Sequence, residues 1–194
     1  VVTLLGIAQD GGRPQPGCTR QCCQGLNEED YRSPVSLGIK TSSGKTLLIE
    51  ATRDLGKQLR MIDNPSIDHL FITHAHLGHV DGLGLFGRET MSARHIHFHC
   101  SPSMRALIEA TPAWNQLLQQ NVLEFGEFPE VMIDDVTIEF LQVPHRAELS
   151  DMHAIIIRGP LKSLLFLPDH DSWDETLEAH NCDSIRSFLA KFSI

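Results

Sequence analysis

The stretch FITHAHLGHVDGLG, residues 71–84, places three histidines within six residues directly behind an apolar, β-branched run. A run of that kind reads as a buried strand, and the polar residues crowded at its end read as its exit into a loop. Side chains carried at a strand end are held by a rigid scaffold, which suits them to a site.

The remainder of the chain alternates strands with helices. Residues 2–8 read as a strand, and SLGIKT followed by SGKTLLIEA as a hairpin turning on Ser43-Gly44. From residue 53, Leu55, Leu59 and Ile62 share a helical face that stops at Asn64-Pro65. IDHLFIT is the next strand, residues 82–91 a short helix, HIHFHC a strand, and residues 102–120 two short helices broken at Pro112. Met104, Leu107, Ile108, Trp114, Leu117 and Leu118 fall at core spacings. VLEF, VTIEFLQV, HAIIIRG and SLLFLP return to strands, and an amphipathic helix over residues 173–192 closes the chain. Two strand-rich halves with helices outside predict a layered α/β domain, one domain over residues 1–194.

Composition narrows the partners. The formal net charge is −9 with 16 Lys+Arg and no basic block, which argues against nucleic acid or an anionic membrane surface and leaves small molecules. No apolar run approaches the ~18 residues of a membrane span. Five cysteines, an odd number, and the absence of a signal-peptide pattern point to a reducing, cytoplasmic setting.

His74, His76 and His79 follow the pattern H-x-H-x-x-H, and a strand exit lets the first two rings swing towards one ion. Three imidazoles in one loop repel when protonated, and a metal resolves that conflict. Cys18, Cys22 and Cys23 read either as thiolate ligands of a structural zinc or as free thiols in a surface loop. His95, His97 and His99 alternate along one strand and read as a solvated or packed sheet face. Arg88 reads as an anion contact or the partner of Glu89, and His153 and His170 as neighbours that orient ligands.

THAHLGHVDG resembles the T-H-x-H-x-D-H-x-G loop of the metallo-β-lactamase superfamily. GIAQDGGRPQPGC, GRETM, VPHR and LPDHDSW bring the chain closer to the coenzyme PQQ synthesis protein B-like group within it. The resemblance implies a four-layer αββα sandwich, here without the last strand and helix, because the chain stops at FLAKFSI. It implies metal ligands at His74, His76, His145 and Asp169, with His79 as a further ligand or orienting group. Gly78 stands where most members carry the aspartate of a second metal site, so that site is expected to be impaired, with His79 and Asp169 alone to hold a weak second ion. Asp81 reads either as a partial replacement for that carboxylate or as a helix cap.

The expected cofactor is one Zn2+, with Fe2+ or Mn2+ as alternatives. The expected activity is hydrolysis of a small-molecule ester, lactone, amide or phosphodiester, with Asp169 and His79 as catalytic groups. Two alternatives stand beside it: a non-haem iron enzyme that activates oxygen, and a metal-binding protein without catalysis.

Overall fold

The hairpin expected at Ser43-Gly44 forms between β2 (Ser36–Lys40) and β3 (Thr46–Ile49), with Gly44 at φ 92°, a left-handed turn conformation that suits glycine. It belongs to a computed structural model that describes residues 1–194. β1 (Val2–Gly6) pairs antiparallel with β2. On the other side of β3 lie β4 (His69–Phe71), β5 (Ile96–His99) and β6 (Leu123–Phe125), all parallel, in a six-stranded sheet.

Parallel neighbours need crossovers. These carry α1 (Leu55–Arg60), α2 (Leu77–Val80), α3 (Pro102–Ala110) and α4 (Pro112–Gln119). The second sheet is antiparallel throughout. It contains β7 (Glu130–Ile133), β8 (Val136–Gln142), β9 (His153–Arg158) and β10 (Ser163–Phe166), in the order β10-β9-β8-β7. After β10 come α5 (Trp173–Ala179) and α6 (Ile185–Lys191).

Strand alternation sorts the apolar residues into three cores. Leu48, Leu70 and Phe98 turn outward and pack with Leu55, Leu59, Met104 and Ile108 from the helices. Leu37, Leu47, Ile49 and Phe71 turn inward against Ile138, Phe140, Ile155 and Ile157 of the second sheet. Leu141, Ala154 and Ile156 on its far face meet Phe188 of α6, with Trp173 and Leu177 of α5 alongside. Three interfaces make four layers, helix on sheet on sheet on helix, and all four are present within these residues. Truncating a fully buried side chain such as Leu70 would cost about 2–5 kcal/mol.

Three local readings are corrected. Residues 82–91 hold only a 3-10 turn, Leu83–Phe86, because Gly82, Gly84 and Gly87 weaken a helix and Thr90 Oγ1 bonds back to the Leu85 carbonyl. The single closing helix is two: Asn181 takes φ 52°, and Ser184 starts α6 with a capping box to Ser187. Strand β7 escapes the pattern because it is short and its Met132 is exposed.

Candidate metal centre

The centre is built where β4, β8 and β10 end. Beyond β4 the chain stays extended through His76, at φ −62° and ψ 140°, then coils into α2, with His79 N–H donating to the His76 carbonyl at 2.9 Å. That change of course brings three rings together, His74 lying 4.5 Å from His76 and 4.2 Å from His79 between centroids. His145, beyond β8, lies 5.4 Å from His74 and 5.0 Å from His76. Asp169, beyond β10, brings Oδ2 to 3.5 Å from His74 Nε2, 3.2 Å from His79 Nε2 and 3.8 Å from His145 Nε2.

Hydrogen-bond polarity decides what these donors can do. Thr73 Oγ1 donates to Glu50 Oε1 at 2.5 Å and so accepts from His74 Nδ1 at 3.0 Å, which leaves His74 Nε2 without a proton when the ring is neutral. His76 Nε2 faces Glu148 at 3.2 Å and His145 Nδ1 faces Asp171 at 3.1 Å, each ring donating to a carboxylate. Three lone pairs, on His74 Nε2, His76 Nδ1 and His145 Nε2, are thereby turned inward. The first two are 2.9 Å apart, and the third is buried with no hydrogen-bond partner. Lone pairs held this close repel unless a cation lies between them.

Tetrahedral zinc with bonds of about 2.0–2.1 Å would separate its ligand atoms by about 3.3 Å. The observed 2.9, 3.5 and 3.8 Å straddle that value, and the four donors lie within 4.8 Å of one another. The residues fit a metal ion.

Carboxylates surround the remaining histidine. His79 is 1% exposed, its Nδ1 is 3.3 Å from fully buried Glu50, and its Nε2 is 3.3 Å from Asp10 as well as near Asp169. Burial opposes charge on the ring, but Glu50, Asp10 and Asp169 outweigh it and His79 is pushed up to about 12. The neighbouring rings of His74 and His79 hold Asp169 far below the usual carboxylate range, and the bond from His79 lowers Asp10. Burial lowers His74. Asp10, His79 and Asp169 form a second donor set within 4.8 Å, so the sequence expectation of only two candidate ligands there is corrected to three.

Other readings divide. Asp81 is in neither donor set and is not the N-cap of the turn that follows: it pairs with Arg53 at 2.6 Å and ends α2, and Gly82 precedes the 3-10 turn. Cys18, Cys22 and Cys23 do converge within 4.8 Å, because a 3-10 turn at Gln21–Cys23 lets two adjacent thiols share one side. His95 and His97 are exposed, whereas His99 is buried on Phe71 at 4.5 Å between centroids, so the three do not share one solvated face. His153 packs edge-on against Phe128 and Phe140, and His170 bonds Thr176, so neither touches the ligands. Arg88 makes no ion pair with Glu89.

Sequence reasoning missed Asp10, Glu50, Glu148 and Asp171. Glu148 and Asp171 were within reach as carboxylates beside His145 and Asp169 in the same loops. Asp10 carried no local signal, and Glu50 only its place behind the apolar run of β3.

The family model described as the beta-lactamase superfamily domain matches residues 45–185, and the chain belongs to that superfamily. Among solved structures the chain resembles zinc-bound PqqB from Methylobacterium extorquens, 18% identical with a TM-score of 0.76 over 92% of this chain and 68% of that one. It also resembles a diphosphatase of the PhnP family (20% identical, TM-score 0.63, 84% and 62% covered). A third likeness is to the metallo-beta-lactamase fold protein YhfI from Bacillus subtilis (14%, TM-score 0.58, 84% and 60%). At these identities the likeness is one of fold. A curated relative, an octanoyltransferase of Porphyromonas gingivalis (strain ATCC BAA-308 / W83), is 36% identical over 80 residues, which span 41% of this chain and 16% of that protein.

Proposed function

We propose that this chain is a metal-dependent hydrolase of a small-molecule ester, lactone, amide or phosphodiester. The observation that carries the reading is the inward set of His74 Nε2, His76 Nδ1, His145 Nε2 and Asp169 Oδ2, with the other nitrogen of each ring engaged outward. These four would hold one ion, zinc in the first instance, with iron(II) or manganese(II) as alternatives. An ion so held supplies Lewis acidity and lowers the pKa of bound water towards neutrality.

The chain's own groups position and accept. Asp169 commits Oδ2 to the inward donor set and to His79, which leaves Oδ1 to orient the attacking water and take its proton as it meets a carbonyl carbon or phosphorus. Its depressed pKa keeps it ionised at neutral pH, the form a proton acceptor requires. His79 holds Asp169 from below, and Glu148 and Asp171 fix the rings of His76 and His145. The net charge of −9 favours a small-molecule substrate over nucleic acid or membrane, and no helix is long and apolar enough to cross a membrane. Five free cysteines suit a cytoplasmic setting, and Cys18, Cys22 and Cys23 suit a structural zinc.

The test is turnover of bis(p-nitrophenyl) phosphate and p-nitrophenyl acetate by zinc-reconstituted protein. Activity is expected to vanish with chelator and return with zinc, and Asp169→Asn is expected to lower kcat/KM by about 10²–10⁴-fold. Turnover indifferent to both treatments would overturn the reading. Oxygen uptake by iron-loaded protein without hydrolysis would replace it with the oxygen-activating alternative.

A further inference from the structure

Gly78 is glycine for want of space, not for backbone freedom, since its φ lies outside the left-handed region. A Cβ on Gly78 would stand 2.4 Å from Asp10 Cβ, 2.5 Å from Asp10 Cα and 2.5 Å from Asp10 Cγ. Real Cβ atoms do not come so near backbone. The volume a side chain at position 78 would fill is already filled, and its occupant is a carboxylate.

That carboxylate is aimed. Asp10 is presented by a tight turn in which Gly12 N–H donates to the Gln9 carbonyl at 2.7 Å and Gly12 takes φ 73°. Its Oδ1 lies 3.3 Å from His79 Nε2, and with Asp169 it completes the donor set Asp10, His79 and Asp169. Three carboxylates, Glu50, Asp169 and Asp10, stand within 3.3 Å of the nitrogens of this one ring. Glu50 lies on the Nδ1 side, so His79 Nε2, Asp10 and Asp169 converge from the other side as the donors of a second cation.

We propose that Asp10, from the loop after β1, replaces in space the carboxylate that position 78 lacks and completes a second divalent-metal site with His79 and Asp169. The proposal rests on the first donor set, because Asp169 is common to both. Glycine at position 78 then does not impair the second site. It makes room for a ligand delivered from a different part of the chain.

The test is a cobalt(II) and zinc(II) titration of the whole chain, read by elemental analysis and the visible cobalt spectrum. Ions are counted at the histidine centre, any ion on Cys18, Cys22 and Cys23 being told apart by its thiolate-to-cobalt charge-transfer band. Wild type is expected to bind two ions there. Asp10→Asn is expected to keep the first and weaken the second by more than the ~10–100-fold typical of losing an outer-sphere partner. Gly78→Asp alone collides with Asp10, so the decisive variant is the exchange Asp10→Gly with Gly78→Asp. That double variant is expected to regain the second ion.

One ion in wild type, or two undiminished ions in Asp10→Asn, would overturn the proposal while leaving the first site standing. An exchange variant that folds, by circular dichroism, yet holds a single ion would also overturn it. Wild type that binds no ion at all would sink the hydrolase reading as well, and the two failures are thereby distinguished.

Discussion

Two histidine clusters flank β4, one across β4 and β5 and one beyond the end of β4, and they do opposite things with their protons. In the first, His69 Nδ1 faces His99 Nε2 at 3.0 Å, and His99 Nδ1 faces the Glu127 carbonyl at 3.0 Å. A carbonyl only accepts, so His99 carries its proton on Nδ1 and accepts from His69, and the chain closes with both rings neutral. Burial first, then His99 and His97, push His69 down to about 4, and burial lowers His99.

In the second, the outward nitrogens of His74, His76 and His145 are engaged and the inward ones face one another. Carboxylates make the difference. Asp169, Asp10 and Glu50 frame one cluster, while His99 of the other stacks on Phe71. Histidine density is therefore a poor guide to a metal site; the direction of lone pairs and the nearby negative charge decide it.

The sharpest way to break this contrast is to delete one histidine from each cluster. His145→Ala is expected to abolish tight metal binding, whereas His69→Gln leaves metal content by elemental analysis unchanged; equal losses would erase the distinction. Next in size is Glu50→Gln. Glu50 is fully buried at φ 70° and serves both His79 and, through Thr73, His74. Removing one partner of a buried charge pair costs about 3–5 kcal/mol, so urea denaturation should show a loss of that order. A fall in metal affinity of about 10–100-fold should accompany it.

The smallest effect is on pH dependence. His69 has an ordinary value of 6.5 and stays neutral in the fold down to about 4, so between these values the unfolded chain binds more protons and stability declines as pH falls. The urea midpoint of metal-free protein should drop from pH 7 to pH 5, less steeply in His69→Phe. Parallel slopes would assign the decline to other groups.

Much of this was readable in the chain. His74, His76, His79, His145 and Asp169 each follow a run whose composition announces a strand, and strand ends in a layered α/β domain gather at edges. Glu50 also follows such a run, TLLI, but its use depends on the parallel register that pairs Ile49 with Phe71, and register is not written locally. Asp10 sits in a glycine-rich turn that reads as a turn and nothing more. Its meaning comes from a contact with Gly78, and glycine, having no side chain, leaves no pattern to match. The break between α5 and α6 hid for a related reason: one amphipathic face continues across it, and only the Ser184 cap marks the new start.

Residues 45–185 carry the family likeness, yet Asp10 lies upstream of them, on a loop tethered by β1 and β2. A fragment cut at that boundary would keep the four histidines of the centre and Asp169 and would lose Asp10. The stretch matched by the family model thus stops short of Asp10, and a comparison confined to it leaves that carboxylate unread.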